Sequence, residues 1–233
     1  MPVPATEIAP TVWRIPTVGR SAVNSYAFVE SDGSVTLVDC GLKSAPAKIV
    51  AGLAHMGKRV ADVNRILLTH MHRDHAGGTA EMASLTGAPV AAHADDARYG
   101  PAGRAPELDH TLLLGRLFDR RPAKYKPFEV GKQLRNGEVL EAGGGLRVIH
   151  TPGHSPGHIS LLHEPTRLLI TGDAIFNVLG LRYSIKTFCT DFRMSRETAH
   201  LLGELDYDIA AFTHGPEIKE SPREKIRAFL KKR

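Results

Sequence analysis

Four side chains able to bind a metal ion fall within six residues of this sequence, His70-Met71-His72-Arg73-Asp74-His75. They follow the apolar run Ile66-Leu67-Leu68-Thr69 and open onto Gly77-Gly78. Residues two apart on an extended stretch point to the same side, so His70 and His72 can reach one ion. Asp74 and His75 come as the chain turns past that pair and can face a second ion beside it. A loop of solvated histidines is the competing interpretation, and it loses weight because more ligands stand elsewhere in the chain.

Those ligands stand at strand ends. Thr151-Pro152-Gly153-His154 follows a strand ending at His150, Thr171-Gly172-Asp173 follows Leu168-Leu169-Ile170, and Thr213-His214-Gly215 follows Ala210-Ala211-Phe212. Apolar strands that stop at His or Asp beside Gly or Pro put ligands on a sheet rim, where several strand ends converge. The set is then His70, His72, Asp74, His75, His154, Asp173 and His214. These N and O donors, with no thiolate among them, suit two divalent ions: Zn²⁺ first, with Mn²⁺ or Fe²⁺ as alternatives. His55, His93, His110, His150, His163 and His200 have no such setting and read as surface or core packing.

The elements that must hold these residues follow from hydrophobic patterning. Short apolar runs at Val12 to Ile15, Ser25 to Val29 and Val35 to Val38, with Asp32-Gly33 between the last two, predict hairpin strands. A helix is expected from Ala45 to about Met56, a strand from Arg65 to Thr69, a helix from Thr79 to Leu85 and a strand from Pro89 to His93. The stretch from Asp95 to Pro127 is rich in Arg, Pro and Gly, predicts no strands, and carries one amphipathic piece, Leu112 to Phe118. It is expected to act as a lid or binding loop, with a surface excursion or dimer contact as the alternative. Strands are expected again at Glu138 to Leu140, Leu146 to His150, Ile159 to Leu162 and Leu168 to Thr171. A helix from Arg196 to Leu205 capped by Ser195, a strand from Ile209 to Thr213 and a helix from Pro222 to Lys232 close the chain. Two sheets packed face to face with helices outside fit this order, in one domain over residues 1–233.

The motifs His70-x-His72-x-Asp74-His75 with Gly77-Gly78, Thr151-Pro152-Gly153-His154, Thr171-Gly172-Asp173 and Thr213-His214-Gly215 together resemble the metallo-β-lactamase superfamily. The resemblance implies an α/β fold, an αββα sandwich of two mixed β-sheets flanked by helices. It implies that His70, His72 and His154 hold one metal, that Asp74, His75 and His214 hold the other, and that Asp173 bridges them. Asp39 is implied to orient a ligand histidine, and His158 to stand behind the ligands, His154 being preferred as the ligand of that pair. The chemistry implied is hydrolytic. A metal-bound hydroxide attacks an ester, thioester or lactone, with Asp74 also steering it and shuttling its proton.

Within the family, the bridging Asp173 points to the glyoxalase II-like, lactonase-like and phosphodiesterase-like branches. Eighteen residues follow Gly215, so the C-terminal glutathione-binding domain of glyoxalase II is not expected. Quorum-quenching lactonases carry a tyrosine shortly after the bridging aspartate; here Phe176 stands near that place, and Tyr183 could serve if its loop bends back. The alternatives are a mononuclear iron persulfide dioxygenase-like oxidoreductase and a phosphodiesterase or RNA-processing hydrolase.

Composition narrows the partners. At 42% hydrophobic and 24% charged residues the chain matches globular averages rather than disordered ones. A net charge of +5 suits an anionic partner, but the basic residues are spread out, concentrated only at 116–132 and in Lys231-Lys232-Arg233. With no aromatic-interleaved basic stripe, nucleic acid is not an expected partner; a small-molecule substrate is, with homodimerisation as a further expectation. Neither a leader in MPVPATEIAP nor a membrane span is expected. Cys40 and Cys189 are too few for a disulfide framework, which fits the reducing cytoplasm.

Overall fold

A computed structural model describes residues 4–231. The start of the segment read for a leader, the last two residues of the basic tail and the expected end of the closing helix at Lys232 lie outside the described residues. The first half of the chain runs β1 (Thr6–Ala9), β2 (Val12–Val18), β3 (Val23–Val29), β4 (Val35–Val38), α1 (Pro46–His55), β5 (Val63–Leu67), α2 (Arg73–Ala76), α3 (Thr79–Thr86), β6 (Val90–His93), α4 (Tyr99–Ala102), α5 (Leu113–Phe118) and β7 (Lys132–Leu134). The second runs β8 (Val139–Leu140), β9 (Leu146–His150), β10 (Ile159–His163), β11 (Leu168–Ile170), β12 (Ile175–Asn177), β13 (Leu181–Tyr183), α6 (Phe192–Glu204), β14 (Ile209–Ala211) and α7 (Pro222–Leu230).

Among the described residues β1 to β7 form one sheet in sequence order, antiparallel through β4 and parallel from β4 to β7. A second sheet has the order β14-β11-β10-β9-β8, with β14 parallel to β11. Both sheets are mixed and neither takes a strand from the other half of the chain.

Side-chain alternation explains the layering. On the central strands one set of residues (Tyr26, Phe28, Val38, Leu67) meets Val148, Ile159, Leu161 and Ile170 of the opposite sheet. The alternate set (Ile15, Ala27, Leu37, Ile66) faces the outer layer, where Ile49 and Leu53 of α1 and Met82 of α3 cover it. The far side of the second sheet is covered by Ala199 and Leu202 of α6 and Ile226 and Leu230 of α7. Strands buried on both faces need apolar residues in both registers, which is why they read as continuous runs rather than alternation. The result is the four-layer αββα sandwich.

Some boundaries differ from the pattern-based expectation. α6 begins at Phe192, not Arg196, because Asp191 accepts a hydrogen bond from the Met194 backbone N–H (2.9 Å) and caps the helix; Ser195 is buried inside its first turn and caps nothing. β1, β7 and the β12–β13 hairpin were not legible as strands. β7 exposes two of its three residues, so no apolar run marks it. The stretch from Asp95 to Pro127 holds no strand among the described residues, as expected, but its start is core: Tyr99 is fully buried and packs with Phe128. The outward excursion is closed by an antiparallel bridge between Arg104 and Lys124. Among the described residues no helix is long and apolar enough to cross a membrane, and Cys40 and Cys189 are buried free thiols.

Candidate metal centre

The first ligand loop is set by the parallel crossover from β4 to β5. Asp39, directly after β4, adopts a left-handed φ of 59°, which turns its carboxylate beneath the loop. There it accepts hydrogen bonds from the Thr69 backbone N–H (2.8 Å) and the Thr69 hydroxyl (2.8 Å), and from His75 Nδ1 (2.8 Å). A left-handed non-glycine residue costs energy, and three bonds to one buried carboxylate hold it there. Gly77 and Gly78 permit close approach: a Cβ on Gly78 would lie 2.3 Å from the Cys40 carbonyl oxygen. His72 then caps α2 in extended conformation, and its ring meets that of His70 edge-on at 4.8 Å.

The second sheet supplies the other ligands from the ends of β9, β11 and β14. His154 lies in the turn after β9, where Gly153 (φ 122°) packs so tightly on α6 that a Cβ would sit 2.1 Å from the Ser195 nitrogen. Asp173 lies in a single 3₁₀ turn after β11 and accepts from the Thr213 hydroxyl (2.8 Å). His158, buried behind it, accepts from the Asp173 backbone N–H at Nε2 (2.7 Å) and donates from Nδ1 to the Thr151 carbonyl (2.9 Å). This fixes the neutral tautomer, and burial followed by the neighbouring His154 pushes its pKa down to about 3. His214 follows β14 and donates from Nδ1 to the Ala22 carbonyl (2.7 Å).

All of the expected ligands converge. His72 Nδ1 and His154 Nε2 are 2.8 Å apart, and His75 Nε2 and His214 Nε2 3.3 Å. Asp173 reaches both pairs, with Oδ2 3.1 Å from His154 Nε2 and 3.3 Å from His214 Nε2, and Oδ1 3.3 Å from His75 Nε2. Asp74 Oδ2 lies 3.5 Å from His214 Nε2. The outer nitrogens of His75 and His214 donate to a carboxylate and a carbonyl, so their inner nitrogens carry lone pairs that face each other. His70 Nε2 and His72 Nε2 are buried without a hydrogen-bond partner. Lone pairs aimed at lone pairs, with carboxylates among them, fit a cation and little else.

The electrostatics agree. Burial opposes a charge on His75 and His154, but Asp173 and its neighbours outweigh it and raise them to about 9 and about 10. Burial and the His75 charge hold His70 well below its ordinary value, and burial with His154 lowers His72 to about 3. The carboxylates thus favour positive charge at this spot, which protons on His75 and His154 would supply in the absence of an ion and which a bound cation would replace, leaving the inner nitrogens their lone pairs. Among the described residues four groupings bring ligand atoms close enough to share an ion. Three belong to this cluster: His70, His72 and His154; His70, His75 and Asp173; and Asp74, His75 and His214. The fourth, His93, Asp95 and His150, joins two histidines that sequence patterning assigns to packing; their rings stack at 3.9 Å and Asp95 is exposed.

The cluster forms the floor of a cavity of about 1100 Å³. Val23 and Leu42 line one wall, Leu117 and Phe118 of the excursion another, and Phe176, Ile185 and Phe188 a third. Phe176 lies against His214 at 4.4 Å. Tyr183 does not enter the cavity, contrary to the expectation for a bent-back loop. It pairs with Ile175 across the β12–β13 hairpin while Phe176 pairs with Arg182, so alternation sends Phe176 and Arg182 to the cavity and Tyr183 to the other face. There its ring packs on Phe229 at 4.7 Å, with Arg196 above it.

Two residues near the cluster escaped sequence reasoning. Buried Asp96 accepts from the Met71 N–H (3.2 Å), the Ser155 hydroxyl (2.6 Å) and the Gly157 N–H (2.6 Å), tying the loop of His70 and His72 to that of His154. Cys189 Sγ lies 3.6 Å from His154 Nδ1. An acidic residue after β6 and a lone cysteine before α6 carry no spacing signal; two backbone partners and one hydroxyl are visible only in three dimensions.

A family model described as the metallo-beta-lactamase superfamily matches residues 18–214. Hydroxyacylglutathione hydrolase of Halorhodospira halophila is 29% identical over 160 residues, covering 68% of this chain and 46% of that protein. Thioesterase pkgB of Emericella nidulans is 26% identical over 201 residues, covering 86% of this chain and 48% of that protein. The chain spans about half the length of these curated relatives. Among solved structures, a motif mutant of a metallo-beta-lactamase from Cronobacter sakazakii matches with a TM-score of 0.73 and 27% identity, covering 92% of this chain and 81% of that one.

Proposed function

The chain belongs to the metallo-beta-lactamase superfamily of metal-dependent hydrolases, and on that premise we propose that it cleaves an ester or thioester bond of a small molecule, using two divalent ions, Zn²⁺ first among them. The observation that carries this reading is the convergence of lone-pair imidazole nitrogens with Asp74 and Asp173 on the floor of an apolar cavity. His70, His72 and His154 would hold one ion, Asp74, His75 and His214 the other, with Asp173 between. Bound there, the ions supply Lewis acidity toward a carbonyl oxygen and lower the pKa of water.

The remaining work falls to the protein. Asp39 fixes the tautomer of His75, and the Ala22 carbonyl that of His214, so that their lone pairs are aimed without further reorganisation. Burial opposes ionisation of Asp74, but His75 and His214 hold its carboxyl below the usual range, so it is a carboxylate at neutral pH. Facing the cavity, it can accept the proton of an attacking water and pass it to the leaving group. Phe176 covers His214 from the cavity side and limits water there. The stretch from Asp95 to Pro127 supplies one wall and serves as the lid that sets substrate choice. A thioester is favoured over a lactone by the names of the relatives, thioesterase and hydroxyacylglutathione hydrolase, and by the absence of a tyrosine hydroxyl from the cavity wall among the described residues.

Metal analysis of the purified protein, with a panel of ester, thioester, lactone, β-lactam and phosphodiester substrates, tests this. Two metals per chain with turnover confined to esters or thioesters is the expected result. One iron per chain with thiol-dependent oxygen uptake would replace the reading with a redox one.

A further inference from the structure

We propose that the cavity recognises amphipathic substrates, acyl esters or thioesters with an apolar acyl part and a leaving or carrier group bearing negative charge. This rests on the hydrolytic reading for the reacting bond, but its evidence lies in other residues. Arg73, Arg120, Arg121 and Arg182 line the cavity, and among the described residues no carboxylate forms an ion pair with any of them. Asp119, the wall acid beside Arg120, makes no ion pair with an arginine among the described residues; its Oδ2 accepts from the Leu108 N–H (2.8 Å) and bonds His110 (2.6 Å). Asp74 and Asp173 are engaged with the imidazoles of the floor.

Beside the arginines the wall is apolar and wet. Leu117, Phe118, Ile185 and Phe188 are exposed by 51%, 43%, 56% and 45%, and the Phe118 and Phe188 rings stack at 6.2 Å, joining α5 to the turn before α6. A purely ionic substrate would leave these side chains in water, and a purely apolar one would leave the guanidinium groups without a counter-charge. A molecule that is hydrocarbon at one end and anionic at the other satisfies both. Carboxylate or phosphate could supply the charge, since guanidinium pairs with each in the same two-pronged way.

Calorimetric titration of the metal-loaded, full-length protein with non-hydrolysable thioethers tests this. The probes are S-octylglutathione (carboxylates), S-octyl-coenzyme A (phosphates) and the uncharged S-octyl-N-acetylcysteamine. A charged probe should bind about tenfold or more tightly than the uncharged one, with the advantage shrinking in about 500 mM salt. Arg120→Ala with Arg121→Ala, and separately Arg182→Ala, should reduce that ratio. The tighter of the two charged probes tells carboxylate from phosphate. Shortening octyl to methyl should weaken binding by up to roughly fourfold per methylene where the wall is covered. Equal binding of charged and uncharged probes, ratios unmoved by the arginine variants, octyl no better than methyl, or no binding at all overturns the proposal. Octanoyl thioesters of the same carriers read the bond chemistry separately: discrimination among thioethers with no turnover of any thioester would sink the hydrolytic reading alone.

Discussion

Asp39 and His158 do the same task from opposite sheets, each holding a ligand by a buried hydrogen bond without facing the cavity. Asp39→Asn keeps the shape but offers one acceptor oxygen where Thr69 and His75 present three donors. Metal affinity should fall by about 10- to 100-fold, read by competition with a chromophoric chelator, with the fold retained. Asp74→Ala should separate the two duties of that residue. Because His70, His72 and His154 remain, metal at that grouping should survive while turnover drops by about 10²-fold or more; wild-type rates with an unchanged pH profile would remove Asp74 from the proton path. The ligands were legible because chemistry leaves a spacing signature: two His on an extended stretch, or His and Asp beside Gly at strand ends. The condition attached to Tyr183, a loop that bends back, is not met, because its direction depends on hairpin register, which no local pattern around Phe176 reveals.

Elements read well where a long apolar run or a capping pattern marks them, as for β3, α1 and α7, and poorly where they are short or polar, as for β7 and α4. The stretch from Asp95 to Pro127 mixes both kinds. Its ends are tied into the body by Tyr99 and by the Arg104–Lys124 bridge, whereas Leu113 of α5 is 76% exposed. Removing the whole stretch would take core with it. Replacing only 111–121 by a short Gly-Ser link should spare both the fold and the metal and move KM or substrate preference by about tenfold, since α5 and the arginines beside it leave the cavity wall. A shortened protein with two metals and an unaltered substrate profile would show that this wall takes no part in recognition.

Asp96 couples one buried charge to the stability of the whole molecule. Burial raises its pKa from 3.8 to about 6, against the pull of its three hydrogen-bond donors. The native state therefore keeps the proton longer than the unfolded chain does. As pH rises from about 4 to about 6 the unfolded state ionises first and stability falls, by an order of ~3 kcal/mol, then levels off. Urea unfolding of chelator-treated protein at pH 4.5 and pH 7 should show roughly two-thirds of this loss, about 2 kcal/mol, in the wild type and lack it in Asp96→Asn; parallel curves would mean that Asp96 does not titrate in this window.

The division of the sheets has a further consequence. Every strand of the first sheet precedes residue 135 and every strand of the second follows residue 138, yet His70, His72, Asp74 and His75 come from one stretch and His154, Asp173 and His214 from the other. The ions would then act as rivets between two separately encoded plates. A nick in the short link between β7 and β8 would leave each fragment with an unbroken sheet and an incomplete set of ligands, so that reassembly of the fragments becomes a reporter of metal.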